Sequence, residues 1–364
     1  MAVKLDSLIK AMQKHNASDL HVQADSPPML RIDGLLTSVD VPSLSAQDVG
    51  EIVFSILTDQ QRARVESGET IDFSYAPDET ARFRVNVYHQ RNTLGMVMRR
   101  LSMKVPTFEE LNLPLVLSEI TDAERGLILV TGTTGSGKST TLAAMIDYIN
   151  GRESVKIVTL EDPIEYWHTS RKALIAQMEL GTDIQAFSAS LPNVLRQDPD
   201  VILVGELRDV ETMKAALVAA DTGHLVMSTI HTANASQTIE RLISMFPPNE
   251  HALLLTQLAM NLEAVISLRL ARRKDGPGRV PAVEILRAIP IFRKIIFEGK
   301  LDLIPATIAT RERGMQLFDQ ALADLYKRNL IAGREALRLA TNPEAVALAM
   351  RGITTRDTQA GLVR

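Results

Sequence analysis

The nine residues Gly132, Thr133, Thr134, Gly135, Ser136, Gly137, Lys138, Ser139 and Thr140 limit what this chain can become more than any other feature. They satisfy the phosphate-binding pattern G-x-x-x-x-G-K-[ST] at every fixed position. The apolar run 127–130 before them reads as a buried strand, and 141–149 after them reads as a helix. A strand, a glycine-rich loop and a helix start, in that order, cradle phosphate with backbone N–H groups. Lys138 is placed to reach the β- and γ-phosphates, and the Ser139 hydroxyl to take one position on Mg²⁺. The competing reading is an incidental glycine-rich turn, and the flanking elements argue against it.

The surrounding pattern is that of an α/β protein. From Leu115 onward, apolar runs at 127–131, 155–160, 201–204 and 225–230 alternate with helical segments. Continuous apolar strands with helical crossovers indicate a parallel sheet buried on both faces. Ligands of such sheets lie beyond the carboxyl ends of the strands. Beyond Pro281 the chain reads as mostly helical, with a polar, disordered tail from Thr354 to Arg364.

Residues 1–100 read differently, as a small α+β domain. A first helix ends near Asn16. Short β-like segments follow at 20–22, 29–32, 70–75, 82–88 and 95–99, with Asp33-Gly34 as a hairpin signal. Residues 48–57 have helical spacing. The stretch 101–114, with Pro106 and Pro114, reads as a linker, which leaves 115–364 as the second domain.

At 364 residues and 45% apolar, the chain is long enough for two or three packed domains. The net charge of −4 offers no global attraction to nucleic acid. With no cysteine, disulfides, iron–sulfur clusters and cysteine zinc sites are excluded. The start, from Met1 to Leu20, lacks the apolar core of a signal peptide. The best candidate for a membrane span, 251–271, is interrupted by Gln257, Asn261, Glu263 and Arg269 and is expected to be an amphipathic core helix. A soluble cytoplasmic protein follows from these readings. The short basic run from Arg269 to Lys274 reads either as a nucleic-acid contact or as a helix C-terminus complementing its dipole.

Candidate chemistry sits at the strand ends. The second strand of the sheet runs into Glu161, Asp162, Pro163, Ile164 and Glu165. Carboxylates there orient water or hold a metal shell; the alternative is a solvated acidic loop. The third strand is followed by Gly205 and Glu206, the place where an acidic residue holds Mg²⁺, often through water. Arg208 and Asp209, next in line, read as a surface ion pair. His224 and His231 bracket the fourth strand. His231, at the carboxyl end, is placed to report the γ-phosphate to a neighbouring subunit, and a structural role remains open for both. Phosphoryl transfer also needs cationic groups that meet the transition state, commonly from another subunit. Arg82, Arg84, Arg91, Arg99 and Arg100 are the candidates, and Arg82 and Arg84 share one strand face. A solvated face is the competing reading.

Taken together, these blocks resemble the PilT/PilU family, the twitching-motility ATPases of type IV pili within the secretion-ATPase superfamily. Four boxes stand in order: 132–140, the acidic box 161–165, 201–209, and 223–232. The resemblance runs from Leu5 to about Ile331 and includes Ala17 to His21 and Gly314 to Leu322. It implies a PAS-like first domain and a RecA-like second domain, assembled as a homo-hexamer that uses ATP and Mg²⁺. It further implies work at the inner face of the cytoplasmic membrane with the pilus platform protein and other pilus components, a paralogous retraction ATPase among them, and no nucleic acid. By resemblance Glu165 polarises the attacking water, Glu206 holds the Mg²⁺ shell, His231 belongs to the histidine box, and Arg84 and Arg99 reach nucleotide across an interface.

One segment departs. The family's retraction motif reads AIRNLIRE, and residues 291–298 here read IFRKIIFE, so Arg293, Ile296 and Glu298 match while Lys294 and Phe297 do not. Gln90, Arg91 and Asn92 with 95–99 look closer to PilU. The alternatives to a main retraction motor are therefore an accessory PilU-like paralogue, a pilus-assembly or type II secretion ATPase, and a RecA-like nucleic-acid translocase. Assembly relatives commonly carry a four-cysteine zinc element, which this chain lacks. A translocase would want aromatic platforms, and aromatics make up only 4% of the chain.

Overall fold

Alternating burial builds the first sheet. The computed structural model describes residues 3–32, 34–78 and 81–353. Strands β1 (Asp19–Gln23), β2 (Met29–Ile32), β3 (Leu35–Ser38), β4 (Ile71–Asp78), β5 (Ala81–Gln90) and β6 (Thr93–Arg100) pair antiparallel in the order β3-β2-β1-β6-β5-β4. On β5, Ala81, Phe83, Val85 and Val87 are buried, and Arg82 and Arg84 occupy the other face. Helices α1 (Leu5–Lys14) and α2 (Ala46–Phe54) supply Leu8, Met12, Val49 and Val53 to the core formed with Leu20, Phe83 and Met98. Between α2 and β4 lies α3 (Asp59–Glu66), which the sequence reading missed. It buries only Val65, so it has no apolar stripe to detect; its signal is the capping box of Thr58 and Gln61. Ile32 faces Leu35 across the β2–β3 hairpin. Asp33 of the expected turn lies outside the described residues, as does the tail expected at 354–364.

Packing divides the chain into two units. The first comprises Met1–Lys104, Asp162–Trp167 and Glu179–Asp183, and the second the remainder. The second begins with α4 (Val116–Thr121), β7 (Gly126–Thr131), α5 (Lys138–Arg152) and β8 (Lys156–Glu161). There follow β9 (Leu174–Glu179, of which Glu179 counts with the first unit), α6 (Phe187–Val194), β10 (Val201–Val204), α7 (Val210–Asp221), β11 (Leu225–Ile230) and α8 (Ala235–Met245). Next come α9 (His251–Asn261), β12 (Leu262–Arg272), β13 (Arg279–Arg287) and α10 (Pro290–Phe297). The last helices are α11 (Ile304–Ala309), α12 (Phe318–Lys327), α13 (Gly333–Leu339) and α14 (Pro343–Met350).

The second sheet has the order β13-β12-β7-β11-β10-β8-β9. Strands β12, β7, β11, β10 and β8 run parallel, and β13 closes one edge antiparallel to β12. Every residue of β7, β10 and β11 is buried, as continuous apolar runs require in a sheet covered on both faces.

Three strands go beyond the four expected. The clearest correction concerns 251–271, read as one helix: α9 ends at Asn261 and β12 begins at Leu262. Leu262, Ala264, Val265, Ile266, Ser267 and Leu268 are buried between β7 and β13. A strand buried on both faces has no period-two signature, so it imitates a buried helix. The basic run beginning at Arg269 accordingly starts on β12 rather than at a helix end. Arg269 still complements a helix C-terminus, that of α13, by donating to the Leu339 carbonyl at 2.8 Å.

Candidate active site

The phosphate loop sits where β7 hands over to α5. A side chain at Gly132 would bring its Cβ to 2.4 Å from Ser136 Oγ and 2.7 Å from the Leu268 carbonyl, so only glycine fits the turn. Gly137 ends the loop at φ 99°, the left-handed region that glycine enters without strain. Lys138 is then the first residue of α5, 8% exposed. Its Nζ donates to the carbonyls of Gly132 at 3.0 Å and Thr133 at 3.2 Å, which hold the ammonium over the loop.

These residues fit a nucleotide's phosphates. No side chain caps the start of α5, whose N-terminus carries partial positive charge. The buried Ser136 hydroxyl has no hydrogen-bond partner. An ammonium, an uncapped helix start and a spare hydroxyl together form a donor-rich pocket for an anion. For a divalent ion, no group of three or more His, Cys, Asp or Glu occurs among the described residues. The oxygen donors the sequence offers are the Ser139 hydroxyl, in the first turn of α5, and the Glu206 carboxylate, beside His231. A small set of oxygen donors suits Mg²⁺, which keeps waters and takes its other ligands from phosphate.

Hydroxyls fasten the neighbouring strand ends together. Ser228 Oγ donates to the Val204 carbonyl at 2.6 Å and Thr229 Oγ1 to the Gly205 carbonyl at 2.7 Å. This locks Glu206, just past β10, beside His231, just past β11. His231 Nε2 lies 3.4 Å from Glu206 Oε1, and its Nδ1 lies 3.4 Å from Lys138 Nζ. An imidazole with its proton on Nε2 serves both, donating to the carboxylate and accepting from the ammonium. Arg208 Nε donates to the other Glu206 oxygen at 2.8 Å, where the sequence suggested a pair with Asp209. Asp209 instead caps α7, accepting from Thr212 N at 2.7 Å. His224 is bound at the end of α7, with Nδ1 2.9 Å from the Ala219 carbonyl.

Lys138, Glu206 and His231 are thus brought together in the second unit. Thr133 and Thr134 of the loop, His231, Thr232 and the side of α8 carrying Gln237, Glu240 and Arg241 line a cleft of about 770 Å³.

Glu165, Arg84 and Arg99 belong to the first unit. Arg84 donates through Nε to Asp72 Oδ2 at 2.9 Å, and its Nη1 lies 3.7 Å from Glu165 Oε1. Arg99 Nε donates to the buried carboxylate of Asp19 at 2.7 Å. Arg82 stacks on Trp167, 4.0 Å from the ring centre. Glu179, missed in the sequence, fastens this cluster. Its carboxylate, 4% exposed, accepts from Ser74 N at 3.0 Å and from Ile164 N at 3.1 Å. It therefore holds the residue next to Glu165 to strand β4. Glu161, by contrast, is engaged within the second unit by Thr159 at 2.7 Å and Gln177 at 3.0 Å.

Residues 2–295 match a known sequence family, type II/IV secretion system protein, across most of the chain. The chain belongs to that family. Among its relatives within the family, PilT of Pseudomonas aeruginosa, a type IV pilus retraction ATPase, is 44% identical over 341 residues, spanning 93% of this chain and 99% of its own. The type IV pilus ATPase PilU of the same organism is 38% identical over 350 residues, spanning 96% and 92%. A crystal structure of the pilus retraction motor PilT with bound ADP matches with a TM-score of 0.88 at 40% identity, covering 94% of this chain and 98% of its own.

In this family member the divergent segment 291–298 lies on and just past α10. Two of its matching residues face inward: Arg293 donates to the Ala259 and Met260 carbonyls at 2.8 and 2.7 Å and to Glu263 at 2.7 Å, and Ile296 is fully buried; the third, Glu298, pairs with Lys300 at the surface. Of the five that differ, Phe292 and Ile295 keep an apolar side chain in the core, while Ile291, Lys294 and Phe297 lie at the surface, with Phe297 62% exposed.

Proposed function

We propose that this chain is an ATPase motor that drives retraction of type IV pili, and with it twitching motility. The observation that carries the reading is the meeting of Lys138, Glu206 and His231 at one end of a parallel sheet, in a chain 44% identical to a retraction ATPase over nearly its whole length. Residues 1–100 act as a PAS-like domain, 101–114 as the linker, and 115–364 as a RecA-like ATPase domain. Six copies form a ring that works with the pilus platform protein at the inner face of the cytoplasmic membrane. In keeping with a peripheral place, no helix among the described residues is long and apolar enough to cross a membrane.

In this mechanism Lys138 and the start of α5 bind the phosphates, with the residues from Gly132 to Thr140 as the cradle. Ser139 and Glu206 would hold the metal shell, and Mg²⁺ bound there with ATP would supply charge neutralisation to the phosphates. Glu165 orients the attacking water as general base. His231, touching both Lys138 and Glu206, senses whether the phosphate end is filled. Arg84 and Arg99 supply positive charge to nucleotide across an interface between subunits. The changed surface of α10, with Lys294 and Phe297, favours a second reading in which the chain is an accessory retraction ATPase.

Deletion of the gene with imaging of pili tests both. The proposal predicts abundant pili that do not retract. Retraction that persists but stalls under load supports the accessory reading. Bald cells would assign the chain to assembly and overturn the proposal.

A further inference from the structure

Glu284 is a carboxylate in the buried strand β13, 6% exposed. Its two oxygens serve two helices. Oε1 accepts from Ala235 N, the first residue of α8, at 2.9 Å. Oε2 lies 3.4 Å from Phe318 N, the first residue of α12, and accepts from it. Each helix start carries partial positive charge, so one buried anion neutralises both. Burial pushes the Glu284 carboxyl above its usual range, and the Ala235 and Phe318 N–H groups and nearby Arg269 pull it back only in part. Arg269 itself lies over the Phe318 ring at 3.9 Å.

Helix α8 begins immediately after the loop that carries His231. Within that connection, Thr232 Oγ1 bonds Thr238 Oγ1 at 2.7 Å and the Asn234 side chain accepts from Gln237 N at 2.8 Å. The same helix forms one wall of the cleft beside Thr133 and Thr134. Whatever fixes the start of α8 therefore fixes His231 against Lys138 and Glu206.

We propose that Glu284 is a positioning residue for ATP turnover, which sets His231 by anchoring the start of α8 and makes that anchor shared with α12. The inference rests on the reading that His231 serves the phosphate end of the nucleotide. Through the shared carboxylate, a shift of α12 is felt at the cleft wall.

Glutamine at 284 can accept from only one of the two helices and turns its amide NH₂ towards the other N–H. In the assembled full chain, Glu284→Gln should lower kcat about tenfold or more, with KM for ATP within about twofold. A purely structural carboxylate would lower the amount of folded protein and leave kcat per folded ring alone. The effect should also be absorbed by His231→Ala: the double variant should turn over no more slowly than His231→Ala by itself. Ala235→Pro tests the same contact from the other side. It removes the N–H at the first helical position, where proline is tolerated, and Asn234 before it is already extended at φ −161°, ψ 174°. It leaves both Glu284 and α12 in place and should reproduce the loss in kcat; if Glu284→Gln does not fold, this variant decides. Normal turnover in folded Glu284→Gln or Ala235→Pro, or losses that multiply with that of His231→Ala, overturns the proposal. Normal turnover in His231→Ala overturns the underlying reading instead.

Discussion

Arg84 and Arg99 stand directly opposite each other on β5 and β6. Like charges so placed repel unless acids share the face. Here Asp72 and Glu165 attend Arg84, and Asp19 attends Arg99. Both arginines singled out in the sequence thus lie on one cross-strand row, which continues through Asp19 on β1 to Arg31 on β2.

Arg99→Ala should therefore cost stability as well as turnover. Burial raises the Asp19 carboxyl, but the Ser18 hydroxyl and Arg99, with a lesser pull from His21, overrule it and hold it below 3.8. A depressed carboxylate stabilises the fold above its unfolded value, and that contribution is lost as pH falls through the folded value. Urea melts should show the variant about 1 kcal/mol less stable at pH 7, with the gap narrowing as the pH drops below 3.8. A gap that is absent, or that widens in acid, contradicts the pairing.

Arg84→Ala should depress turnover only where subunits meet. Hydrolysis per chain by the parent protein should fall on dilution to monomer, and the variant should resemble the diluted parent. Equal specific activity of the parent at all dilutions removes the arginines from any interface role.

Glu206→Gln and Glu165→Gln should still bind ATP, measured with a fluorescent analogue, yet hydrolyse it about 10²-fold or more slowly. Full rates in both would take them out of the site.

His168 predicts a pH dependence of stability. Burial lowers it to about 4 from 6.5, outweighing the pull of Asp147, 4.0 Å away. The folded protein then binds fewer protons than the unfolded chain between those values, so stability rises with pH across that window. The contribution is complete above 6.5 and lost as pH falls towards 4, up to about 3 kcal/mol. His168→Gln should flatten this limb in urea melts at pH 4.5 and 7, and an unchanged slope would contradict it.

What the sequence disclosed and what it hid follow from physics. The strand, glycine-rich loop and helix at 126–152 were legible because β7 is a continuous apolar run and Gly132 and Gly137 are demanded by the backbone. Antiparallel β5 was legible from its alternation. Strand β12 was not, because burial on both faces erases periodicity. Glu179 carried no local signal, since its partners Ser74 and Ile164 are distant in sequence. Glu284 did carry one: a lone carboxylate inside an apolar strand must find donors. The identity of those donors, two helix starts, depends on tertiary packing.

The most direct test of the central claim is phosphate release from Mg-ATP by the purified ring and by its Lys138→Ala variant. The account predicts steady turnover by the parent, and a loss of about 10²-fold or more in a variant that melts at the same temperature. Equal turnover by a folded Lys138→Ala ring would place hydrolysis elsewhere and contradict the account.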